Sequence, residues 1–308
     1  MASALFSAIT QGILWGVMIL GVYITYKLLD IADLSVDGTF ALGGCVAATA
    51  VMTSGMDPWL ALLIAFVAGC LAGGVTGLMH ALLNIPAILA GILTMIGLWS
   101  VNLRIMGKSN IPLLNTRTIY TDVTDWTGLP RDVSVLIVGV AMAAIVVGAL
   151  YWFFGTEIGS AIRATGNNHD MVRALGVDTR VTILIAVMLS NGLVALSGAL
   201  VCQSQKYADV GMGTGAIVIG LASIVIGEAL RHVTPGKPSA FGSRLVYAVI
   251  GSAAYFLIRA IVLQLGLDAN DMKLFTAVIV AVALGVPYLT GRWRQKHSYQ
   301  REGATIDG

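Results

Sequence analysis

The chain has 308 residues, of which 57% are hydrophobic and only 11% charged, with mean hydropathy +0.86 and net charge +2. Soluble domains carry about 25% charged residues, so a water-soluble enzyme is excluded, and so small a net charge leaves no footprint for nucleic acid. The apolar runs are continuous and about twenty residues long, which indicates membrane-spanning helices and not the alternating segments of about ten that make a barrel.

In chain order, the pattern predicts spans at 4–29, 38–54, 58–83 and 87–106, then a polar stretch at 107–131. Asp57-Pro58 is the start signal of the third span. Further spans follow at 132–154 and 180–203, separated by the long charged connection 155–179. The last three are predicted at 214–230, 244–266 and 272–290, before a basic tail over 291–308. The expected fold is an all-α polytopic membrane protein: one transmembrane domain over 1–308, with about 8–10 transmembrane helices. No cleavable signal peptide is expected, because no basic region precedes the first apolar run, which continues past Gly21. Cys45, Cys70 and Cys202 lie in separate apolar stretches without metal-ligand spacing, so they read as helix-packing residues.

Lys and Arg in short loops set orientation. Arg163, Arg173 and Arg180 mark the 155–179 connection; Arg231, Lys237 and Arg244 mark the loop before the eighth span; Arg292, Arg294, Lys296 and Arg301 mark the tail. If each late span crosses once, all three lie on one side, which is then cytoplasmic. The N-terminus is expected outside and the C-terminus inside.

Two apolar runs break on Ala-Asp followed by small polar residues and glycine. One break is Ala32-Asp33-Leu34-Ser35-Val36-Asp37-Gly38-Thr39; the other is Ala208-Asp209-Val210-Gly211-Met212-Gly213-Thr214. Asp and Gly suit backbone that unwinds around a cavity inside the protein, not a lipid-facing helix. The preceding spans run in opposite directions, so the breaks are expected as two broken or re-entrant segments in an inverted-repeat arrangement, with a transport path between them. Asp33, Ser35, Asp37, Thr39, Asp209, Met212 and Thr214 are the candidate path residues. The starts of the following helices carry free amide donors and partial positive charge, which suits a carboxylate. The bland reading is that the aspartates cap helices near the interface; the two roles are compatible.

The 155–179 connection holds two short helical stretches, with Asn167, Asn168 and Asp170 as candidate caps for the second and Gly176 as its C-terminal glycine. Met171, Val172, Ala174, Leu175 and Val177 supply a small apolar surface suited to a groove on a partner. A solvated loop with ordinary caps is the alternative. Arg104 and Arg259 sit in spans, where each either snorkels to the interface or meets a carboxylate.

The run Arg163-Ala164-Thr165-Gly166-Asn167-Asn168, followed by Arg173-Ala174-Leu175-Gly176-Val177, resembles the cytoplasmic loop of membrane permeases in the branched-chain amino acid and ribose family of ABC importers. Asp33-Leu34-Ser35-Val36-Asp37-Gly38 is similar to a segment of that family whose sugar members carry Asp-Leu-Ser-Val-Gly, so Asp37 inserts a second acid. Ile88-Leu89-Ala90 and Asn102-Leu103-Arg104-Ile105-Met106-Gly107 resemble most the branch linked to aromatic amino acid (tryptophan or tyrosine) uptake.

The resemblance implies a permease subunit in a bacterial inner membrane, paired with a second copy. It also implies separate ATP-binding cassette ATPase subunits and an extracytoplasmic substrate-binding protein. Residues 157–177 would contain the coupling helix, with Glu157, Arg163, Gly166, Asn167, Met171, Arg173, Leu175 and Gly176 as coupling positions. No cofactor is then expected in this chain, and ATP and Mg belong to the partner ATPase. Gly107-Lys108-Ser109 ends like a phosphate-binding loop, but the glycine needed five residues earlier is Asn102, and an apolar span precedes it. Gly211-Met212-Gly213-Thr214-Gly215-Ala216 misses a dinucleotide fingerprint for want of strand-turn-helix context. The chain is therefore expected to be non-catalytic. A secondary transporter working without an ATPase, and ABC import of a sugar or nucleoside, remain alternatives; an ion channel lacks a selectivity-filter repeat.

Overall fold

The computed structural model describes residues 2–114, 116–233, 241–266, 271, 274–278 and 281. Among the described residues, seven helices are long and apolar enough to cross a membrane. Most of the predicted last span (272–290), residues 234–240 of the basic loop and the tail at 291–308 lie outside the described residues.

Helix α1 (Ala2–Tyr23) carries no charge along its length and runs on into a π-helical turn, Ile24–Leu28. Asp30 then turns the chain with φ +56°. Helix α2 (Val36–Ser54) starts after the first break. Helix α3 (Pro58–Ala81) starts where the Asp57 carboxylate accepts from the Trp59 amide and Pro58 fills a position that needs no amide donor. Helix α4 (Ala87–Met106) follows a short turn.

The 107–131 stretch, expected only as polar, has its own structure. Strand β1 (Asn110–Pro112) leads to helix α5 (Ile119–Thr127), whose start is closed by a reciprocal Thr118–Thr121 capping box. The Tyr120 hydroxyl is buried and donates to the Leu200 carbonyl at 3.0 Å. Burial pushes its pKa up, so it remains a hydrogen-bond donor across the physiological range.

Helix α6 (Arg131–Phe153) crosses back, followed by α7 (Glu157–Asn167) and α8 (His169–Ala174). Helix α9 (Thr179–Gln205) is the axis of the bundle and is buried along most of its length. Strand β2 (Tyr207–Asp209) pairs antiparallel with β1, placing Asn110 opposite Asp209. Helix α10 (Ala216–Val233) follows the second break, and α11 (Phe241–Gln264) closes the described bundle.

Contacts define two faces. On one, Arg131 donates to the Ser204 carbonyl at 2.6 Å, and Gln203 donates to the Pro58 carbonyl at 3.3 Å. The start of α1 lies there too, beside Gln205 and Gln264. On the other, Lys27 pairs with Glu228 at 3.0 Å, and the Thr165 and Thr182 hydroxyls meet at 3.0 Å. The N-terminus of α1 and the α7–α8 pair are therefore on opposite faces.

The core runs along α1, α2 and α9. Trp15 packs between Phe40, at 4.6 Å between ring centroids, and Phe256, at 5.4 Å. Leu63, Leu71, Ile96 and Ile145 point outward and are exposed. Such faces suit lipid or another subunit and not water.

Candidate functional site

Both breaks use their Ala-Asp aspartate alike. Asp33 Oδ1 accepts from the backbone amide of Ser35 at 2.9 Å, and Asp209 Oδ1 accepts from that of Gly211 at 2.7 Å. Each closes a turn two residues on, where the backbone has left its helix. Each carboxylate also has a distant partner. Asn191, near the middle of α9, donates to Asp33 Oδ2 at 2.8 Å, whereas Asn110 on β1 donates to Asp209 Oδ2 at 3.3 Å.

The first break thus lies inside the bundle. Ser35 Oγ is 2.6 Å from Asp33 Oδ1 and 3.1 Å from Asn191 Oδ1. The Thr39 hydroxyl donates back to the Ser35 carbonyl at 3.0 Å. Asp33, Ser35 and Thr39 are all buried.

Asp37 joins the two breaks. Its carboxylate accepts from the amides of Gly215 at 2.8 Å and Ile217 at 3.0 Å. These are orphan donors at the start of α10, so an acid from the first break caps the helix of the second. The approach is close: a Cβ on Gly213 would sit 3.0 Å from the carbonyl carbon of Asp37. From this meeting point α2 runs toward the face holding the start of α1, while α10 runs toward Glu228 and the α7–α8 face. The two halves oppose each other, as an inverted arrangement requires.

Beside this junction lies a cavity of about 410 Å³, lined by Asp37, Gly38 and Thr214 together with Met95, Trp99 and Asn102 of α4. Asn102 donates to the Gly38 carbonyl at 3.3 Å. The structure therefore brings Asp37 and Thr214 of the expected path residues to one cavity. It places Asp33, Ser35 and Thr39 in hydrogen bonds behind it, Asp209 in the β2 turn, and Met212 against Gly44. Sequence reasoning missed Trp99, Asn102 and Asn191. A signal existed for the two asparagines: each is an amide within an otherwise apolar span.

The 155–179 connection forms the two predicted helices. Thr156 caps α7, accepting from the Gly159 amide at 3.3 Å, and Asn168 caps α8, accepting from the Met171 amide at 3.0 Å. Gly176 follows α8 with φ +85°. Val172 and Ile162 are buried, whereas Met171 is 57% and Leu175 71% exposed. Glu157, Asn167 and Arg173 are exposed as well. Arg163 is turned toward the bundle, its guanidinium 5.4 Å from the Phe241 ring centroid. Gly166 packs directly on the turn after α1: a Cβ there would lie 2.6 Å from the carbonyl carbon of Leu28. Helix α7 is therefore in direct contact with the segment that enters the first break.

Arg104 is exposed at the end of α4, and Arg259 lies over the Phe256 ring at 5.9 Å. Among the described residues neither has a carboxylate partner; Glu228 is taken by Lys27.

The structure is thus a multi-pass helical membrane protein in which two opposed chain breaks meet beside a cavity. The chain belongs to the family described as "Branched-chain amino acid transport system / permease component", which it matches over residues 4–284. It is thus a permease component of an ABC-type transport system, of a kind found in bacteria. It is 37% identical to the tyrosine transport system permease protein of Clostridioides difficile, over 92% of this chain and 90% of that one. It is 26% identical to the ribose import permease protein of Escherichia coli, over 91% and 84% respectively. A probable branched-chain amino acid transport permease protein of Methanocaldococcus jannaschii is 25% identical, over 82% and 88%. No solved structure matches the chain.

Proposed function

We propose that this chain is the membrane-embedded subunit of an ATP-driven importer of an amino acid, with an aromatic one favoured. Two copies surround the path, two ATPase subunits dock on the α7–α8 face, and an extracytoplasmic binding protein delivers the solute to the opposite face. The chain itself is non-catalytic; ATP and Mg act in the partner. On this reading the α7–α8 face is cytoplasmic, the N-terminus of α1 is outside, and the membrane is the bacterial inner membrane.

The observation that carries the reading is the α7–α8 pair. Its inner side, through Val172, Ile162 and Gly166, is fixed to the bundle, while Met171 and Leu175 are left bare to water. Two exposed apolar side chains on a short capped helix suit insertion into a groove of a partner. Their inner neighbours would pass the partner's movement to Leu28 and the first break. The preference for an aromatic solute is supported by Trp99 in the cavity beside Asp37, and by the tyrosine permease among the relatives.

The test is uptake by whole transporter reconstituted with its ATPase and binding protein, with tyrosine and ribose as competing solutes. Changing Trp99→Ala or Thr214→Ala should lower tyrosine uptake while the ATPase remains bound. Unchanged uptake in both variants would remove the cavity from the path. Preferred competition by ribose would move the substrate class to sugars.

A further inference from the structure

The amides at the start of α10 are already engaged. Gly215 and Ile217 donate to the Asp37 carboxylate at 2.8 and 3.0 Å, and Ala216 donates to the Gly213 carbonyl at 3.0 Å. The expectation that this helix start draws a substrate carboxylate therefore reverses: an anion arriving there meets another anion.

Asp37 is also the one charged side chain among the described residues that line the cavity of about 410 Å³. The hydroxyls of Ser100 and Thr214, two exposed residues, lie on the same walls. Beyond Lys273, the last predicted span, to Thr290, contains no Lys, Arg or His in its sequence. Each Asp37 oxygen accepts one amide and keeps further lone-pair capacity. Trp99 reaches from α4 to the second break, where a Cβ on Gly211 would lie 3.9 Å from the edge of its ring. That ring is half exposed and forms an aromatic wall of the cavity. The cavity thus presents a carboxylate, two hydroxyls and an indole face. A carboxylate beside a cavity within the membrane is costly unless a cation or a donor meets it.

We infer that this cavity recognises the ammonium end of its solute, with Asp37 as the charge partner and the Ser100 and Thr214 hydroxyls as further acceptors. The ligand class is a primary amine on an aromatic or apolar stem. Its carboxylate, where it has one, points away from Asp37. The Trp99 ring serves either end of such a molecule: it attracts a cation over its face and stacks on an aromatic stem. A charge-assisted hydrogen bond to Asp37 gains strength where water is scarce. The inference rests on the reading of this cavity as part of the solute path and adds the polarity with which the solute enters it.

The test uses the full chain in phosphatidylglycerol nanodiscs without the binding protein, so that the solute meets the permease alone. Three probes are titrated: tyrosine, tyramine, which lacks the carboxylate, and hydroxyphenylpropionate, which lacks the ammonium. Calorimetry and saturation-transfer NMR read the binding. Tyrosine and tyramine should bind wild type, and hydroxyphenylpropionate at least tenfold more weakly. Asp37→Asn should weaken both amines at least tenfold and leave hydroxyphenylpropionate unchanged. Ser100→Lys sets a cation in the cavity while the α10 cap stays intact. It should exclude tyramine in the same way, and it serves if Asp37→Asn fails to fold. Hydroxyphenylpropionate binding as well as tyramine, an equal loss of all three probes in Asp37→Asn, or no binding of any probe would overturn the inference. ATP-driven tyrosine uptake by the whole transporter separates this from the importer reading. Uptake without a preference for amines removes the polarity alone; amine binding without tyrosine uptake removes the importer reading alone.

Discussion

Asp37 makes the largest difference for a single side chain. It caps a helix that starts 179 positions later, through the amides of Gly215 and Ile217. Removing such a cap costs about 0.5–2 kcal/mol. Asp37→Ala is therefore expected to lower thermal stability by that order and to reduce uptake more than Asp37→Asn, which keeps one acceptor. Equal effects of the two substitutions would show that the cap carries little. Behind it, Asn191 serves Asp33, Ser35 and its own helix at once. Leaving a buried acceptor without its donor costs about 1–3 kcal/mol, more when it is charged. Asn191→Leu should destabilise the bundle by at least that amount, read by unfolding in lipid nanodiscs. The acids of the breaks were legible in the sequence as anomalies in apolar runs. Their partners were not, because the distance along the chain from Asp37 to Gly215 carries no local pattern.

At the scale of elements, most of the bundle was legible because membrane spans announce themselves by length and hydropathy. The α7–α8 pair was legible too, since Asn168 and Gly176 are cap residues at the right spacing. What composition hid was the role of each side. Met171 and Leu175 face out, but Val172 faces in, and Gly166 is a contact with the end of α1 and not a free turn. Met171→Asp with Leu175→Asp should leave the permease folded and cut co-purification of the ATPase at least tenfold. Gly166→Val should instead displace α7 from Leu28 and destabilise the permease itself, by about 1–3 kcal/mol as overpacking does. Size-exclusion and unfolding measurements separate the two outcomes. The polar 107–131 stretch gave no sign of β1, because a three-residue strand has no period to detect and depends on its partner β2.

Over the whole molecule, two opposed halves meet where Asp37 reaches α10, and the α7–α8 pair sits at the end of the segment feeding the first half. The inversion was inferred from loop charges and two short Ala-Asp matches; the contacts give it a physical junction. Sidedness has a simple check: a cysteine placed at Ser7 should react with an impermeant thiol reagent from outside intact cells, and one at Ser160 should not. On the proposed function, ATP and not an ion gradient drives solute through this junction. The decisive measurement is tyrosine uptake into vesicles containing this permease, its ATPase and its binding protein. Uptake should need ATP and both partners and be unaffected by collapsing the proton and sodium gradients. Uptake by the permease alone, driven by either gradient without ATP, would contradict that function.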